Sequence, residues 1–541
     1  MRKKKILMVT EFSQLPTGYS VYSKEVLSRL NKIPEFEVAE LACYCSEEDP
    51  KIKNVPWRIF PNKPKIGTPE FEAYKSSPTA EFGEFSFNSV LLAFKPDFVF
   101  DIRDFWMVSF EQNSPFRNFY KLALMPTVDA EPQNIEWVDT YSRADAIFTY
   151  SEFGIDTLKK QGLFDNFKGV ASPCASFNFY PIKEKAQLRN SFGMDAAPYI
   201  IGTVMRNQRR KLYPDLFASF RKFLDESKRE DVYLYCHTSF PDVGWDIPAL
   251  LIEHNLTNKV LFTYKCTKCG HIHCSFFSDI VKFCNKCNNF TSGICGINNP
   301  LSETELAKVY NVFDIYVQYA NSEGFGMPQL EAAQCGNVVC SIDYSAMSSV
   351  IKNIEAFPIP AKGFIIEPET GCKRAIPDNA YFVELLHTLT SKSKEELTKM
   401  GRAIYIKTLS KYNWDSTASK WIELFKSLDI VPEEQSWKSP GKVIKPKPIN
   451  ESLKSPLDQA NFLIAEVLYK PEMLGGFLWR RLVKELTYKA TVENLNSFYI
   501  NENHNKDTLK MKAFSYQDAY KQIVTLREYY NTWESHRVKN L

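Results

Sequence analysis

The sequence predicts an α/β protein with two parallel sheets, and two observations support this fold class. Short β-rich runs alternate with helical periodicity over residues 5–161, which is typical of strand–helix–strand units in a parallel sheet. The alternation pauses at residues 173–181 and restarts at residue 199. We interpret the restart as a second, separate α/β half.

The first half begins with the run KILMVTEF at residues 5–12, a short and strongly apolar strand. A helix follows at residues 19–31. Further buried runs and helical segments complete this half. Strands are predicted at 97–102, 121–128 and 146–150, and helices at 133–144 and 154–161.

The second half has the same alternation, and its signals include a helix start at Ser302-x-x-Glu305, the spacing of a capping box. An amphipathic helix at residues 414–428 closes it. Strands are predicted at 199–205, 231–236, 259–264 and 314–319, and helices around 213–226 and at 327–335.

We divide the chain into two α/β domains, an insertion and a C-terminal part. Residues 431–456 are rich in Pro and Lys, a composition typical of an extended linker. The domains are residues 1–180 and 181–413, the insertion is 264–297, the closing helix is 414–430, the linker is 431–456, and a helical extension is 457–541.

Composition and charge exclude several classes of protein. Hydrophobic residues make up 44% and charged residues 24%, which excludes wholesale disorder. The net charge of +3 excludes a polybasic chain. No apolar run approaches the ~18–20 residues of a membrane span, and the run after the basic start ends at Glu11, too early for a signal peptide. We expect a cytoplasmic protein whose thirteen cysteines are reduced.

The strongest chemical signal is the segment NSEGFGMPQLEAAQCG at residues 321–336, which follows a predicted strand and opens a helix. Gly324 and Gly326 have no side chain, so backbone amides can approach a ligand closely. The helix N-terminus favours an anion. Glu323 and Glu331 can accept hydrogen bonds from sugar or ribose hydroxyls.

This segment resembles the EGFGxxxLE motif of retaining glycosyltransferases of family four, which have the GT-B fold. The resemblance covers about residues 1–430. It implies two Rossmann-like domains, the first for the acceptor and the second for a donor such as a UDP- or GDP-sugar. It further implies that Glu331 binds the ribose hydroxyls, and that Glu323 and the amides of Phe325 and Gly326 hold the donor sugar.

Two further segments match the family. Arg206 and Lys211, in RNQRRK after the strand at 199–205, are similar to the Arg-x4-Lys loop that binds the donor diphosphate. Two cations at a strand end can neutralise a diphosphate and stabilise the charge on the leaving group. Gly18, in PTG after the first strand, stands where the family has a Gly-rich loop near the diphosphate and acceptor.

The predicted acceptor domain departs from the family, which often has a His, or sometimes an Asp, near the reacting carbon in this domain. The chain has no His before His237, so we take Asp129 in MPTVDAEP as the candidate, with Glu131 in reserve. Asp129 and Glu323 are thus the predicted catalytic residues. The resemblance implies front-face transfer without a metal. Four residues lie at the end of the predicted strand at 97–102. The charged ones are interpreted as members of an ion pair and the tryptophan as a core aromatic: Asp101, Arg103, Asp104 and Trp106.

The insertion contains two Cys-x-x-Cys pairs, Cys266 with Cys269 and Cys284 with Cys287. Thiolate pairs at this spacing surround a tetrahedral zinc, and two pairs complete a closed, structural site. A zinc ribbon of about 30 residues is too small to fold without its metal. Nearby residues are interpreted as surface or packing residues, namely His271, His273, Cys274 and Cys295.

These observations predict a nucleotide-sugar glycosyltransferase, and its acceptor stays open. The candidates for the acceptor are a modified base in DNA, a viral glycoprotein and a glycan. PTGY, DIRDFWM and MPTVDAEP also resemble segments of glycosyltransferase-like proteins of large bacteriophages and viruses, and a viral origin would place the enzyme in the host cytoplasm. Net charges of +4 over 259–300 and 431–541 are compatible with a nucleic-acid partner. One alternative is a polysaccharide or lipopolysaccharide transferase. Another is a non-enzymatic interaction protein in which a zinc ribbon sits on a transferase scaffold.

Overall fold

The computed structural model describes residues 2–114, 116–162, 165–432 and 437. Of the predicted linker at 431–456, only Val431, Pro432 and Trp437 belong to the described residues. The predicted helical extension at 457–541 lies outside them.

The first sheet has seven strands. They are β1 (Lys4–Glu11), β2 (Phe36–Ser46), β3 (Arg58–Lys63), β4 (Phe98–Asp101), β5 (Lys121–Leu124), β6 (Ala146–Thr149) and β7 (Phe167–Val170). Their order is β3-β2-β1-β4-β5-β6-β7. β1 runs parallel to both β2 and β4. Residues 6–9 of β1 are fully buried, as expected for a central strand covered on both faces.

The second sheet has nine strands. They are β8 (Tyr199–Val204), β9 (Val232–His237), β10 (Val260–Cys266), β11 (Ile272–Phe276), β12 (Val281–Cys284), β13 (Asn289–Ile294), β14 (Ile315–Gln318), β15 (Val338–Ile342) and β16 (Phe357–Ile359). Their order is β12-β13-β10-β9-β8-β14-β15-β16, and β11 pairs with β10. A separate hairpin consists of β17 (Ala361–Ile366) and β18 (Lys373–Pro377).

The second sheet combines a parallel part with an antiparallel part. β8, β9, β10, β14, β15 and β16 form parallel pairs. The pairs β10–β11, β10–β13 and β12–β13 are antiparallel. The predicted insertion at 264–297 therefore extends the sheet of the second half through β10 and β13.

Helices alternate with the strands, and fifteen α-helices lie within the described residues. Those that precede β8 are α1 (Gly18–Leu30), α2 (Pro69–Ser76), α3 (Glu84–Phe94), α4 (Phe105–Gln112), α5 (Ile135–Ser142), α6 (Glu152–Lys160) and α7 (Lys185–Ser191). The others are α8 (Tyr213–Ser227), α9 (Ile247–Glu253), α10 (Glu303–Asn311), α11 (Met327–Gln334), α12 (Ser345–Ile354), α13 (Asn379–Thr390), α14 (Lys394–Lys411) and α15 (Trp414–Ser427). The predicted capping box of Ser302 and Glu305 is present at α10. Within the described ranges, no helix combines the length and apolar character needed to cross a bilayer.

The chain divides into two compact units. One comprises residues 1–124, 140–146 and the described part of 423–541, and the other comprises residues 125–139 and 147–422. This division does not follow the predicted boundary at residue 180. The stretch 125–139 belongs to the second unit, where the Glu131 N–H donates to the Tyr344 hydroxyl at 3.2 Å and the Glu131 carbonyl accepts from the Lys373 N–H at 2.9 Å.

The predicted strand at 121–128 is too long, because β5 ends at Leu124. Pro126 has no N–H to donate to a neighbouring strand, and the residues after it bond to β18 instead of the sheet. The predicted helix at 133–144 is likewise shorter, since α5 begins at Ile135 and ends at Ser142.

Candidate functional site

The predicted motif forms a tight loop between β14 and α11 in the second unit. Gly326 has a φ of 86°, a left-handed conformation that favours glycine. A Cβ on Gly324 would lie 2.3 Å from the Thr127 Cγ2, so only glycine fits there. Within the described residues, the N–H groups of Phe325 and Gly326 donate to no protein acceptor. These amides are therefore available to a ligand at the helix N-terminus.

The Glu323 carboxylate, at the start of this loop, is buried among cations. Glu323 is only 6% exposed. Its Oε2 lies 2.5 Å from Arg210 Nη1, and its Oε1 contacts Lys211 Nζ and accepts from Gln318 Nε2 at 2.8 Å. Burial and the charge of Arg210 lower the pKa of Lys211, while the Glu323 carboxylate acts in the opposite direction. The structure thus brings two predicted site residues, Lys211 and Glu323, into direct contact.

Arg206, the other predicted diphosphate ligand, has a different partner. Its Nε and Nη2 each lie 3.0 Å from an oxygen of Asp242. Asp242 is partly buried, which acts to raise its pKa, but hydrogen bonds from Arg206, Ser239 and the Val243 N–H outweigh this and lower it. Arg206 is therefore held by a carboxylate in the loop that follows β9.

The motif comparison did not predict that Arg210 belongs to this group of cations. Arg210 lies in the run Arg209-Arg210-Lys211, but the Arg-x4-Lys spacing does not include it. Its side chain is less than half exposed and reaches Glu323. Its guanidinium adds a second positive charge beside the carboxylate.

Glu331 lies on α11, one turn into the helix. The Tyr310 hydroxyl donates to its Oε2 at 2.6 Å. Burial raises the pKa of Glu331 to about 7, although the hydrogen bond from Tyr310 opposes the shift. Its protonation state is therefore sensitive to pH near neutrality.

Asp129 is held by an arginine that no sequence motif indicated. Arg374 on β18 donates to the Asp129 Oδ2 at 2.6 Å, to the Ser322 Oγ at 2.6 Å and to the Glu367 Oε2 at 2.6 Å. Arg374 is largely buried, and the two carboxylates raise its pKa despite that burial. Because Ser322 immediately precedes Glu323, Arg374 connects the two predicted catalytic carboxylates.

The reserve candidate, Glu131, is paired with lysines. Its Oε2 lies 2.7 Å from Lys160 Nζ and its Oε1 lies 3.7 Å from Lys373 Nζ.

Gly18, the predicted residue of the Gly-rich loop, belongs to the first unit and begins α1, where the side chain of its neighbour Thr17 caps the helix.

The polar residues after β4 agree in part with their interpretation. Asp101 and Arg103 form a fully buried ion pair, as predicted. Asp104 precedes the first residue of α4 as its N-cap. Trp106 is 48% exposed, so its interpretation as a core aromatic is wrong.

The four predicted metal ligands come together in the second unit. The sulfurs of Cys266, Cys269, Cys284 and Cys287 all lie within 4.8 Å of one another. The Cys266–Cys287 and Cys269–Cys284 sulfur distances are 3.6 and 3.7 Å. A zinc tetrahedron with Zn–S bonds of about 2.3 Å has edges of about 3.8 Å. The geometry therefore fits a four-thiolate zinc site with no open position.

Both cysteine pairs lie in the same kind of turn. After β10, the Gly270 N–H donates to the Cys266 carbonyl at 2.9 Å, and after β12 the Asn288 N–H donates to the Cys284 carbonyl at 2.9 Å. Gly270 and Asn288 have φ values of 69° and 53°, a conformation that Gly and Asn adopt most readily. The two turns present their sulfurs from two hairpins.

One ligand is already biased toward the thiolate. A hydrogen bond with the Thr291 hydroxyl, together with the Cys269 N–H, lowers the pKa of the Cys266 thiol to about 5, although burial opposes the shift. Metals bind the thiolate form of cysteine. The nearby residues interpreted as surface or packing residues lie outside the cluster: His271, His273, Cys274 and Cys295.

Residues 297–376 match the family model of glycosyl transferases group 1. The matched segment runs from the end of the insertion to β18 and includes Glu323, Glu331 and Arg374. This match confirms the predicted enzyme class, a glycosyltransferase. No curated protein sequence matches the chain.

Solved structures share the fold at low sequence identity. Sucrose-phosphate synthase from Thermosynechococcus elongatus is 14% identical with a TM-score of 0.56, covering 78% of this chain and 98% of its own. A glycosyltransferase from Rickettsia africae is 13% identical with a TM-score of 0.53, covering 79% and 98%. Anabaena HepE in complex with UDP and glucose is 13% identical with a TM-score of 0.54, covering 79% and 100%. The predicted α/β fold of the GT-B type is confirmed.

Proposed function

We propose that this glycosyltransferase transfers a sugar, with retention, from a UDP- or GDP-sugar to an acceptor hydroxyl. The observation that supports this most strongly is the contact of Lys211 and Arg210 with Glu323 beside the free amides of the glycine loop. Cations next to hydrogen-bonding groups at a helix N-terminus can bind a diphosphate and the sugar attached to it. The complex of HepE with UDP and glucose supports a donor of this class.

In this proposal each residue has a separate role. Lys211 and Arg206 neutralise the negative charge that develops on the leaving diphosphate. Glu331 accepts hydrogen bonds from the ribose hydroxyls, and Glu323 with the amides of Phe325 and Gly326 holds the donor sugar. Asp129 faces the acceptor as the second catalytic carboxylate.

The first experiment is a donor screen. Release of nucleoside diphosphate is measured for a panel of UDP- and GDP-sugars, with and without DNA that contains hydroxymethylated bases. Turnover stimulated by this DNA would identify a DNA-modifying transferase, and turnover indifferent to it would direct the search to glycan and protein acceptors. No turnover with any donor, in a protein that also fails to bind UDP and GDP, would overturn the proposal in favour of an interaction protein.

We also propose that the four thiolates hold one structural zinc ion. The protein purified with zinc is expected to contain about one equivalent of metal, because the donor set is closed and has the spacing of a tetrahedral site. Cys269→Ser should lose most of it, measured by elemental analysis. Cys274→Ser, in the same ribbon but outside the cluster, is the matched control. Equal metal content in both variants would contradict the assignment.

Glu331 makes donor binding pH-dependent in this proposal. Its raised pKa of about 7 means that the carboxylate forms only as the pH rises through neutrality. Charged acceptors form the stronger hydrogen bonds with hydroxyls, so nucleoside affinity should be about tenfold weaker near pH ~6 than near pH ~8. Uridine and guanosine are the probes, because they have no phosphate that titrates in this range. Glu331→Gln should make the profile flat; an unchanged profile in this variant would exclude the role.

A further inference from the structure

The loop that follows β9, residues 238–246, lies between the four-cysteine ribbon and the donor-phosphate cations. We call it the bridging loop. On the ribbon side, a Cβ on Gly296 would lie 2.7 Å from the Ser239 Cβ, so the end of the ribbon packs directly on the loop. The Phe240 ring also meets the ring of Phe277, which follows β11, edge to face at 5.8 Å.

On its other side the bridging loop is fastened to residues 206–211. The Asn207 Nδ2 donates to the Trp245 carbonyl and the Trp245 N–H donates to the Asn207 Oδ1, both at 2.8 Å. The Trp245 indole donates to the Lys211 carbonyl at 2.7 Å. A Cβ on Gly244 would lie 2.3 Å from the Asn207 Oδ1. The loop therefore fixes the backbone that carries both predicted diphosphate ligands.

The bridging loop also holds one of these cations by its side chain. Asp242 binds Arg206 at 3.0 Å and accepts from the Ser239 hydroxyl. Ser239 is the residue on which Gly296 packs. A displacement at the ribbon would therefore reach Arg206 through two adjacent contacts.

The position of the ribbon depends on its sulfur cluster. The strands β11, β12 and β13 have only four to six residues each, and the Phe283 and Phe290 side chains on β12 and β13 are exposed rather than packed in a core. β10 ties the ribbon to the main sheet, but a segment with so little core of its own gains much of its stability from bound metal. Phe277 also contacts Phe262 of β10, so without the metal Phe277 and Gly296 would lose part of the support that keeps them against the bridging loop.

We propose that the metal-loaded ribbon is a positioning element of the donor-phosphate site, acting through Phe277, Gly296 and the bridging loop on Arg206 and Lys211. The inference rests on the proposed function, because it takes these two cations as diphosphate ligands. Zinc has no part in the chemistry here. In this proposal the metal affects only the positions of Arg206 and Lys211.

The test compares Phe277→Ala with Phe283→Ala, an exposed aromatic on the same ribbon that packs on Phe290. Affinities for UDP, GDP, uridine and guanosine are measured by calorimetry on zinc-loaded protein. Phe277→Ala should weaken diphosphate binding by about 5-fold or more, within the usual range of site-to-site coupling, while its metal content and nucleoside affinity stay unchanged. Phe283→Ala should change none of these. Equal weakening for nucleosides and diphosphates, or no weakening, would overturn the inference.

A second measurement does not depend on any donor. Amide hydrogen exchange is followed before and after a chelator removes zinc. Exchange should accelerate in the ribbon, in residues 238–246 and in residues 206–211, but not in α12 or α13. Acceleration confined to the ribbon would overturn the inference even where the protein binds UDP. Failure of the zinc-loaded, unaltered protein to bind UDP or GDP would instead overturn the proposed function.

Discussion

Lys211→Met should reduce both the stability and the turnover of the enzyme. The change keeps an unbranched apolar side chain but removes the ammonium that contacts the buried Glu323. Removing one partner of a buried ion pair leaves an uncompensated charge and lowers the free energy of unfolding by about 3–5 kcal/mol. Here Arg210 and Gln318 remain on the carboxylate, so we expect the lower end of that range.

The same change should lower kcat/KM by about 10²–10³-fold, the usual effect of losing one electrostatic contact to a developing charge. Unfolding in urea and release of nucleoside diphosphate measure the two effects. Arg209→Ala is the matched control, because this neighbouring cation is exposed and makes no ion pair within the described residues. It should leave both quantities nearly unchanged. Equal losses in the two variants would show that general positive charge, and not the contact with Glu323, matters.

A double-mutant cycle separates the two roles of Lys211. Glu323→Gln removes the charge of the partner, so in that background Lys211→Met should cost less stability than it does alone. The loss of turnover should persist, because the diphosphate interacts with Lys211 directly in the proposed mechanism. Additive losses of stability in the cycle would contradict the ion pair.

The sequence predicted those parts of the site that depend on local geometry. Gly324, Gly326 and Glu331 lie in one strand–loop–helix segment. The features of that segment depend on residues that are adjacent in the chain: a close approach at Gly324, a left-handed φ at Gly326 and the start of α11. The cysteine pairs are similar, because each lies within one turn. Spacing along the chain was sufficient to predict that the residues of each candidate site lie close together.

The remaining contacts join segments that are far apart in the chain. Arg374 and Asp129 are separated by 245 positions, and no periodicity indicates that β18 lies beside residues 125–133. The partner of Arg206 could not be predicted for the same reason, since Asp242 reaches it through an irregular loop. The early end of β5 has a local cause in Pro126. The contacts that residues 125–133 make instead are with segments far away in the chain. Sequence patterns therefore predicted local geometry more reliably than long-range contacts.

Arg374→Ala is expected to have the second large effect, and the effect should fall on kcat. Arg374 does not need to touch the substrate. It is a positioning residue, because it fixes Asp129 and orients Ser322 next to Glu323. Displacement of a catalytic group by about 1 Å can cost 10²-fold in rate. We therefore expect kcat to fall by about 10²-fold with a smaller change in the KM for the donor.

Two comparisons distinguish positioning from a general loss of structure. Arg374→Lys keeps the charge but not the planar geometry that serves three acceptors at once, so it should restore stability more than kcat. Lys373→Ala, which removes a neighbouring and more exposed cation, should cost no more than about 1 kcal/mol of stability and little activity. In an Asp129→Asn background, Arg374→Ala should cause little further loss of kcat, because the carboxylate it positions is already gone. If the two losses multiply instead, Arg374 acts on the reaction independently of Asp129, and its role in positioning Asp129 is excluded.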